Sequence, residues 1–158
     1  MSSLSFLSKI LEKVVLRQLS NHLLTNNLFC SHQSAYRAGH STDTALLKTV
    51  NDLLSALDED KVSLLFLLDL SAAFDTIDHS ILLSRISYSF GISDIILTWF
   101  TSYLTDRTQT IFVNGFKSLP APLHYGVPQG SVLGPILLVL YTQPLSKSVK
   151  PFLPVQSP

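Results

Sequence analysis

The sequence has one cysteine, Cys30, which excludes an internal disulfide and any multi-cysteine zinc site. It has no excess of either charge, since 11 Lys and Arg balance 11 Asp and Glu. Nucleic-acid domains are usually basic, so the bulk charge speaks against nucleic acid unless the chain is a fragment. No run of like charge is long enough to mark a basic arm or a localisation signal. No apolar run nears the roughly 20 residues that cross a bilayer. The longest are Val62–Leu68 and Val132–Tyr141, and the second holds Gly134 and Pro135. The N-terminus shows no basic stretch leading into an apolar one with a cleavage site. These absences point to a reducing, cytoplasmic or nuclear setting with no membrane. Repeats and low-complexity blocks are missing too.

What is present is apolar. Hydrophobic residues make up 46% of 158, and mean hydropathy is +0.33. That length suffices for one domain with a core, but the hydropathy is high for a domain standing alone. It fits a piece of a larger protein whose interface is bare.

Leu4, Leu7, Leu11, Val14 and Leu23 share a helical face and predict an amphipathic helix over about 4–24, ended by Asn26 and Asn27. Residues 28–40 read as a loop or short extended segment. A second helix follows, capped by Ser41 or Thr42, with Asp43 in its first turn and Leu46, Val50, Leu53 and Leu57 on one face. Asp58, Glu59 and Asp60 suit a C-terminal dipole poorly, so fraying is expected there. Val62–Leu68 is too short for a typical helix and reads as a strand buried on both faces, ending at Asp69. Helices are expected over 78–89, capped by Asp78, and over 93–104, capped by Ser93, with Ile96, Trp99, Phe100 and Tyr103 facing inward. Gln109–Val113 alternates into Asn114-Gly115, a hairpin signal, and a return strand should run from Phe116 towards Tyr125. Gly126–Gly130 is a loop. Ser131 to about Tyr141 reads as a buried helix that tolerates Pro135 in its first turn. From Lys147 the prolines suggest a disordered tail. The order predicts an α+β fold, a small sheet with helices packed on it.

Three places carry candidate chemistry. A carboxylate held at the end of a buried strand, as expected for Asp69, suits a metal or phosphate site; it also fits an ordinary charged strand end. Asp75, Asp78 and His79 cluster locally, with metal binding open but a capping role for Asp78 preferred. His22, His32, His40 and His124 have no ligand spacing and read as solvent-facing or structural. In Gly126-Val127-Pro128-Gln129-Gly130-Ser131, glycine permits close backbone approach and Gln129 offers a donor and an acceptor. The same string also fits a simple turn. A strand ending in Asp further permits a receiver-like phosphoacceptor domain. Such a domain needs an acidic pair after an earlier strand and a lysine after a later one, and neither is present.

Together the strings resemble one family. Asp69-Leu70-Ser71-Ala72-Ala73-Phe74-Asp75-Thr76-Ile77-Asp78-His79 resembles the first catalytic motif of non-LTR (LINE-type) reverse transcriptases. Gly126-Val127-Pro128-Gln129-Gly130-Ser131-Val132-Leu133-Gly134-Pro135 resembles the next palm motif. Gln33-Ser34-Ala35-Tyr36-Arg37 with Gly39-His40-Ser41-Thr42 resembles the fingers motif, and Ser8-Lys9-Ile10-Leu11-Glu12-Lys13 the helix before it. The likeness covers about residues 2–148 in the family's order.

The resemblance implies a partial fingers and palm of a right-hand polymerase over 1–148, with an incomplete antiparallel sheet, and a disordered Pro-rich tail over 149–158. It implies an RNA template, a DNA primer, a dNTP and two Mg²⁺ ions, the primer 3′-hydroxyl attacking the α-phosphate. Asp69 takes the place of the first metal-binding aspartate, and the Leu70 carbonyl assists the metal. Phe74 is the aromatic gate under the sugar, Gln129 and Gly130 touch the incoming nucleotide, and Arg37 contacts template phosphates. Asp75 lies beside the site without an assigned role.

The chain also departs from the family. No Asp or Glu follows Asp106, so the family's double-aspartate hairpin is not found. Met1-Ser2-Ser3 stands where an Arg-Pro-Ile segment is usual, Ala35 where Gly is usual and Tyr36 where Phe is usual. An alanine is strained wherever the backbone needs positive φ. The expectation is a chain inactive on its own, with self-association through exposed palm surface. The alternative is a non-catalytic remnant that binds nucleic acid or protein weakly.

Overall fold

Local capping chemistry sets most of the element order. The computed structural model describes residues 6–148 except 32, 68 and 129. Among them are five helices and four two-residue strands, an α+β arrangement with small antiparallel ladders. No helix among the described residues is long and apolar enough to cross a membrane. The chain divides into two compact units. One joins the N-terminal helix, through Leu28, to Ala72–Tyr141; the other is Phe29–Ser71 with the chain from Thr142 on.

In the first unit, α1 spans Phe6–Thr25. Asn27 ends it at φ 53°, with Leu28 N donating to Leu23 O at 2.9 Å and Asn27 N to Leu24 O at 3.2 Å. This is the left-handed end that asparagine tolerates best after glycine. The inward stripe differs from the expected one. Leu23 is buried as expected, but Leu7, Leu11 and Val14 are exposed, Glu12 and Leu19 are buried in their stead, and Leu4 lies outside the described residues.

α3 spans His79–Tyr88, and the Asp78 carboxylate accepts from Ile81 N at 2.9 Å as its cap. α4 spans Asp94–Leu104. Ser93 stands at its N-cap, but the hydroxyl donates to Asp94 at 2.6 Å and makes no backbone cap. Phe100 and Leu104 are its buried residues, while Ile96 is exposed. Trp99 stacks on Tyr103 with ring centroids 5.3 Å apart.

The hairpin forms around Asn114 and Gly115, both at positive φ as a tight turn of this kind requires. β2 (Phe112–Val113) pairs with β3 (Phe116–Lys117), and β1 (Thr108–Gln109) with β4 (Ala121–Pro122). The expected long return strand is thus broken. Ile111 N donates to the Ser118 hydroxyl at 2.9 Å instead of to a ladder carbonyl, and Pro120 and Pro122 have no N–H to give. α5 spans Gly134–Ser148, with Pro135 in its first turn and Pro144 inside it. Leu133, Ile136, Leu137, Val139 and Leu140 join Leu82, Ile86, Phe100 and Leu104 in the core.

The second unit has no buried residue among those described. α2 spans Thr42–Asp58. Ser41 caps it in a reciprocal box with Thr44, the Thr44 N to Ser41 Oγ distance being 3.1 Å. Its expected fraying end is instead closed: Asp60 adopts φ 55°, and Lys61 N donates to Ala56 O at 2.8 Å. The apolar stripe of α2 faces solvent, with Leu46 63% and Leu57 66% exposed.

The largest difference from expectation is at Val62–Leu68. Residues 62–67 form no strand and are exposed, and Leu68 lies outside the described residues. A buried strand needs neighbours on both edges and both faces. The strands that are described pair only among themselves within 108–122. The tail expected over 149–158 also lies outside the described residues.

Candidate functional site

Two sequence motifs that lie about fifty residues apart meet in the first unit. After a turn in which Asp75 N donates to Ala72 O at 2.8 Å, the chain runs beside Tyr125–Val127. Val127 N donates to Phe74 O at 2.9 Å, Gly126 N donates to Ile77 O at 2.8 Å, and Asp78 bridges to Tyr125 in antiparallel sense. Ile77 and Val127 are buried under this junction. Gly126 sits at φ +83°, and a Cβ there would lie 3.0 Å from Asp75 Cα and 3.1 Å from Phe74 O. Only glycine allows both the dihedral and this backbone approach.

The Gly126 carbonyl is held from two further sides. His79 is buried and its Nε2 lies 2.7 Å from that oxygen, so the tautomer is fixed with the proton on Nε2. Arg107 donates to the same oxygen at 3.3 Å, and burial lowers the pKa of its guanidinium. Asp78 is held below the ordinary carboxylate value by hydrogen bonds from the Ser80 hydroxyl and from Ile81 N. Asp78 and His79 therefore both serve the backbone, one as a helix cap and the other as a donor to the Gly126 carbonyl.

The entry to α5 adds a second layer. The Ser131 hydroxyl accepts from Gly134 N at 2.9 Å. Glu12, which is 1% exposed, accepts from Val132 N at 2.5 Å and Leu133 N at 3.2 Å. A carboxylate at a helix N-terminus satisfies orphan N–H groups and opposes the positive end of the dipole. A Cβ on Gly134 would lie 2.9 Å from Ser131 Oγ and 3.8 Å from the Phe74 ring, which places half-buried Phe74 against this turn. The Tyr103 hydroxyl is buried near Ser131 and Glu12 without a well-formed hydrogen bond. Burial pushes its pKa up to about 12, and the charge of Glu12 adds to the effect.

Of the site residues expected from sequence, Phe74 and Gly130 belong to this unit. Gly130 is exposed at φ +79°, and Gln129 lies outside the described residues. Asp69, Leu70 and Arg37 belong to the other unit. Asp69 and Leu70 are exposed in irregular backbone. Arg37 is half-buried, donates to Cys30 O at 3.4 Å and stands 5.8 Å from the centre of the Phe29 ring. In the fingers loop the strain falls on Tyr36, at φ 56°, and Ala35 is not at positive φ. Among the described residues no three His, Cys, Asp or Glu side chains gather as a metal site.

Sequence reasoning missed Glu12 as the anchor of α5. The signal was present, because Glu12, Leu19 and Leu23 stand at i, i+7 and i+11, on one helical stripe. A glutamate on a buried stripe needs donors, and a helix N-terminus supplies them.

Residues 1–155 match the reverse transcriptase (RNA-dependent DNA polymerase) family. The chain is 33% identical over 144 residues to a probable RNA-directed DNA polymerase from transposon BS of Drosophila melanogaster, covering 91% of this chain and 16% of that protein. It is 33% identical over 140 residues to the RNA-directed DNA polymerase from mobile element jockey of the same fly, covering 89% of this chain and 15% of that protein. A probable polymerase from transposon X-element of that species is 31% identical over 146 residues, covering 89% and 15%. The chain thus spans about a sixth of the length of these curated relatives. The match removes the phosphoacceptor alternative. With both catalytic-type motifs in family order and joined through Gly126, the chain belongs to the reverse transcriptase family and is similar to the polymerases of non-LTR transposons.

Proposed function

We propose that residues 1–148 are the fingers and the first part of the palm of an RNA-directed DNA polymerase, that residues 149–158 are a tail outside that domain, and that the Phe74–Gly126–Gly134 junction is the floor of its nucleotide site. The observation that carries this reading is the backbone pairing of Phe74 and Ile77 with Val127 and Gly126. That pairing fixes the Phe74 ring beside the loop that leads to Gln129 and Gly130. A ring so held blocks a 2′-hydroxyl and passes a deoxynucleotide. Gln129 and Gly130 contact the incoming nucleotide, Arg37 the phosphates of an RNA template, and Asp69 with the Leu70 carbonyl faces the metal beside a DNA primer and dNTP.

Polymerases of this family depend on divalent metal, here Mg²⁺, which stabilises the attacking and leaving oxygens. The described residues do not by themselves fit a pair of such ions. Asp69 brings one carboxylate, and no Asp or Glu follows Asp106. The chain alone should therefore give no polymerase activity, since one carboxylate does not hold two such ions.

The test is primer extension on poly(A)–oligo(dT) with Mg²⁺ or Mn²⁺, using the chain alone and a chimera in which it replaces the matching stretch of the jockey polymerase. The chain alone should give no extension. In the chimera, Asp69→Asn should abolish extension, and Phe74→Ala should raise ribonucleotide use at least tenfold relative to deoxynucleotide use. Unchanged sugar selectivity in an active Phe74→Ala chimera would remove the assignment of Phe74. A second reading, a non-catalytic remnant, draws on the lack of a carboxylate cluster among the described residues. It predicts a folded chimera with no extension at all.

A further inference from the structure

The loop that the polymerase reading gives to the incoming nucleotide is tied down at both ends. At its near end Val127 N donates to Phe74 O at 2.9 Å. At its far end Val132 N and Leu133 N donate to the Glu12 carboxylate at 2.5 and 3.2 Å. Between these anchors Ser131 N donates to Pro128 O at 3.0 Å, which closes a turn over 128–131. Gln129 and Gly130 lie within that stretch of sequence. Glu12 belongs to α1 and stands 120 residues before Val132 in the chain.

Capping alone does not account for Glu12. The Ser131 hydroxyl already accepts from Gly134 N at 2.9 Å, as a local cap does. Glu12 is 1% exposed, and burying a carboxylate costs free energy that its hydrogen bonds must offset. Both backbone N–H groups share Oε2, while Oε1 accepts from the Ser8 hydroxyl at 3.3 Å. What this arrangement adds to a cap is a fixed distance between α1 and the loop. The Phe74 ring rests on the same turn. A Cβ on Gly134 would lie 2.9 Å from Ser131 Oγ, 3.4 Å from Val127 Cγ2 and 3.8 Å from Phe74 Cδ1. Three side chains thus close on one point, and a shift of the turn moves the support of the ring.

We propose that Glu12 is a positioning residue for sugar selection: it holds the far end of the nucleotide loop at the distance that keeps the Phe74 ring closed against a 2′-hydroxyl. The inference rests on the reading of Phe74 as the gate under the sugar. It adds that a residue outside both motifs sets how closely that gate stands.

Competition between dUTP and UTP on poly(A)–oligo(dT) in the jockey chimera tests it. Both nucleotides compete for the same folded molecules, so a smaller folded fraction lowers both rates and leaves their ratio unchanged. A merely structural role for Glu12 therefore does not move the ratio. Glu12→Gln keeps an acceptor at the same reach and should hold the ratio within about twofold of the parent. Glu12→Asp keeps the charge but is shorter by a methylene. It should lower the preference for deoxynucleotide roughly fivefold, since a small misplacement at a site can cost up to about a hundredfold. Glu12→Ala should lower it at least as far, and the Asp and Gln variants carry the test if the alanine variant does not fold. In a Phe74→Ala background Glu12→Asp should change the ratio no further, because residues that act through one group are not additive. An unchanged ratio in Glu12→Asp, equal losses in Glu12→Asp and Glu12→Gln, or a further loss on top of Phe74→Ala would each overturn the inference while Phe74 keeps its role. If Phe74→Ala itself leaves the ratio unchanged, or a folded chimera extends no primer, the polymerase reading fails and the inference falls with it.

Discussion

At the scale of single residues, the site depends on groups that touch no substrate. Glu12 holds two N–H groups at the start of α5, and that helix carries the turn on which Phe74 rests. Glu12→Ala leaves both donors buried without an acceptor and should cost about 2 kcal/mol. Glu12→Gln keeps an oxygen but loses the charge at the helix end, and should cost about 1 kcal/mol. Denaturant midpoints of the three proteins check the order; equal losses would show that packing, not hydrogen bonding, holds Glu12 in place. Tyr103 is the opposite case, a buried hydroxyl without a good partner. Its folded pKa is raised from 10.0 to about 12, so the folded state disfavours the phenolate. The stability this represents is present in full below pH 10 and is lost as pH rises through 12. An absorbance titration should find one tyrosine ionising later than the rest, and Tyr103→Phe should remove that late step without loss of stability. A titration of Tyr103→Phe that keeps the late step would assign it elsewhere.

At the scale of elements, the ends were easier to foresee than the faces. Asp78 caps α3, Ser41 caps α2 and Asn114-Gly115 turns the hairpin, each as read from sequence. These are local agreements between a short side chain and its own backbone, and no distant partner is needed. Asp78→Ala should accordingly cost about 1 kcal/mol at pH 7. Because its folded pKa lies below 3.8, the contribution is present above that value and fades as pH falls through the folded pKa. The gap between parent and variant should therefore be narrower in denaturant titrations at pH 3 than at pH 7; a gap that widens on acidification would contradict the cap. Buried faces were less legible. The stripe of α1 was placed on Leu4, Leu7, Leu11, Val14 and Leu23; Leu23 is buried as expected, but the structure turns Glu12 and Leu19 inward where Leu7, Leu11 and Val14 were expected. Periodicity shows that a helix has an apolar side, but which side is buried depends on what packs there. For Val62–Leu68 the composition of a central strand is plain, yet pairing is a property of neighbours, and none is described. Of the candidate site, Phe74 and the Gly126 turn were legible as motifs. Their contact was not, because no spacing rule joins residues about fifty positions apart.

At the scale of the whole molecule, burial among the described residues is confined to one of the two units. Among the described residues, every buried hydrophobic side chain lies in α1 or between Ala72 and Tyr141, and none lies in Phe29–Ser71. A side chain such as Leu82 or Leu137, fully buried, contributes roughly 1.5–3 kcal/mol. The described residues of the second unit make no such contribution. α2 is a 17-residue helix with a capping box, near the length at which a helix is only marginal in water without tertiary packing. Its local hydrogen bonds open without disturbing a core, so its opening free energy should be close to that of an isolated helix. Hydrogen exchange at a dilution where the chain is monomeric reads this directly. Amides of α3, α4 and the Gly134–Tyr141 part of α5 should exchange slowly and together, since they open only with the core. Amides of α2 and of residues 61–71 should exchange within about tenfold of the unstructured rate, because nothing must unpack first. The exposed stripe of α2 and residues 62–67 should at the same time bind an apolar dye, as a large bare patch does. Adding the downstream part of a longer polymerase chain that covers this surface should slow α2 exchange and release the dye while leaving α3 unchanged. Slow, cooperative exchange of α2 in the isolated monomer would show that its leucine face is packed in solution, and the division of stability between the two units would be wrong.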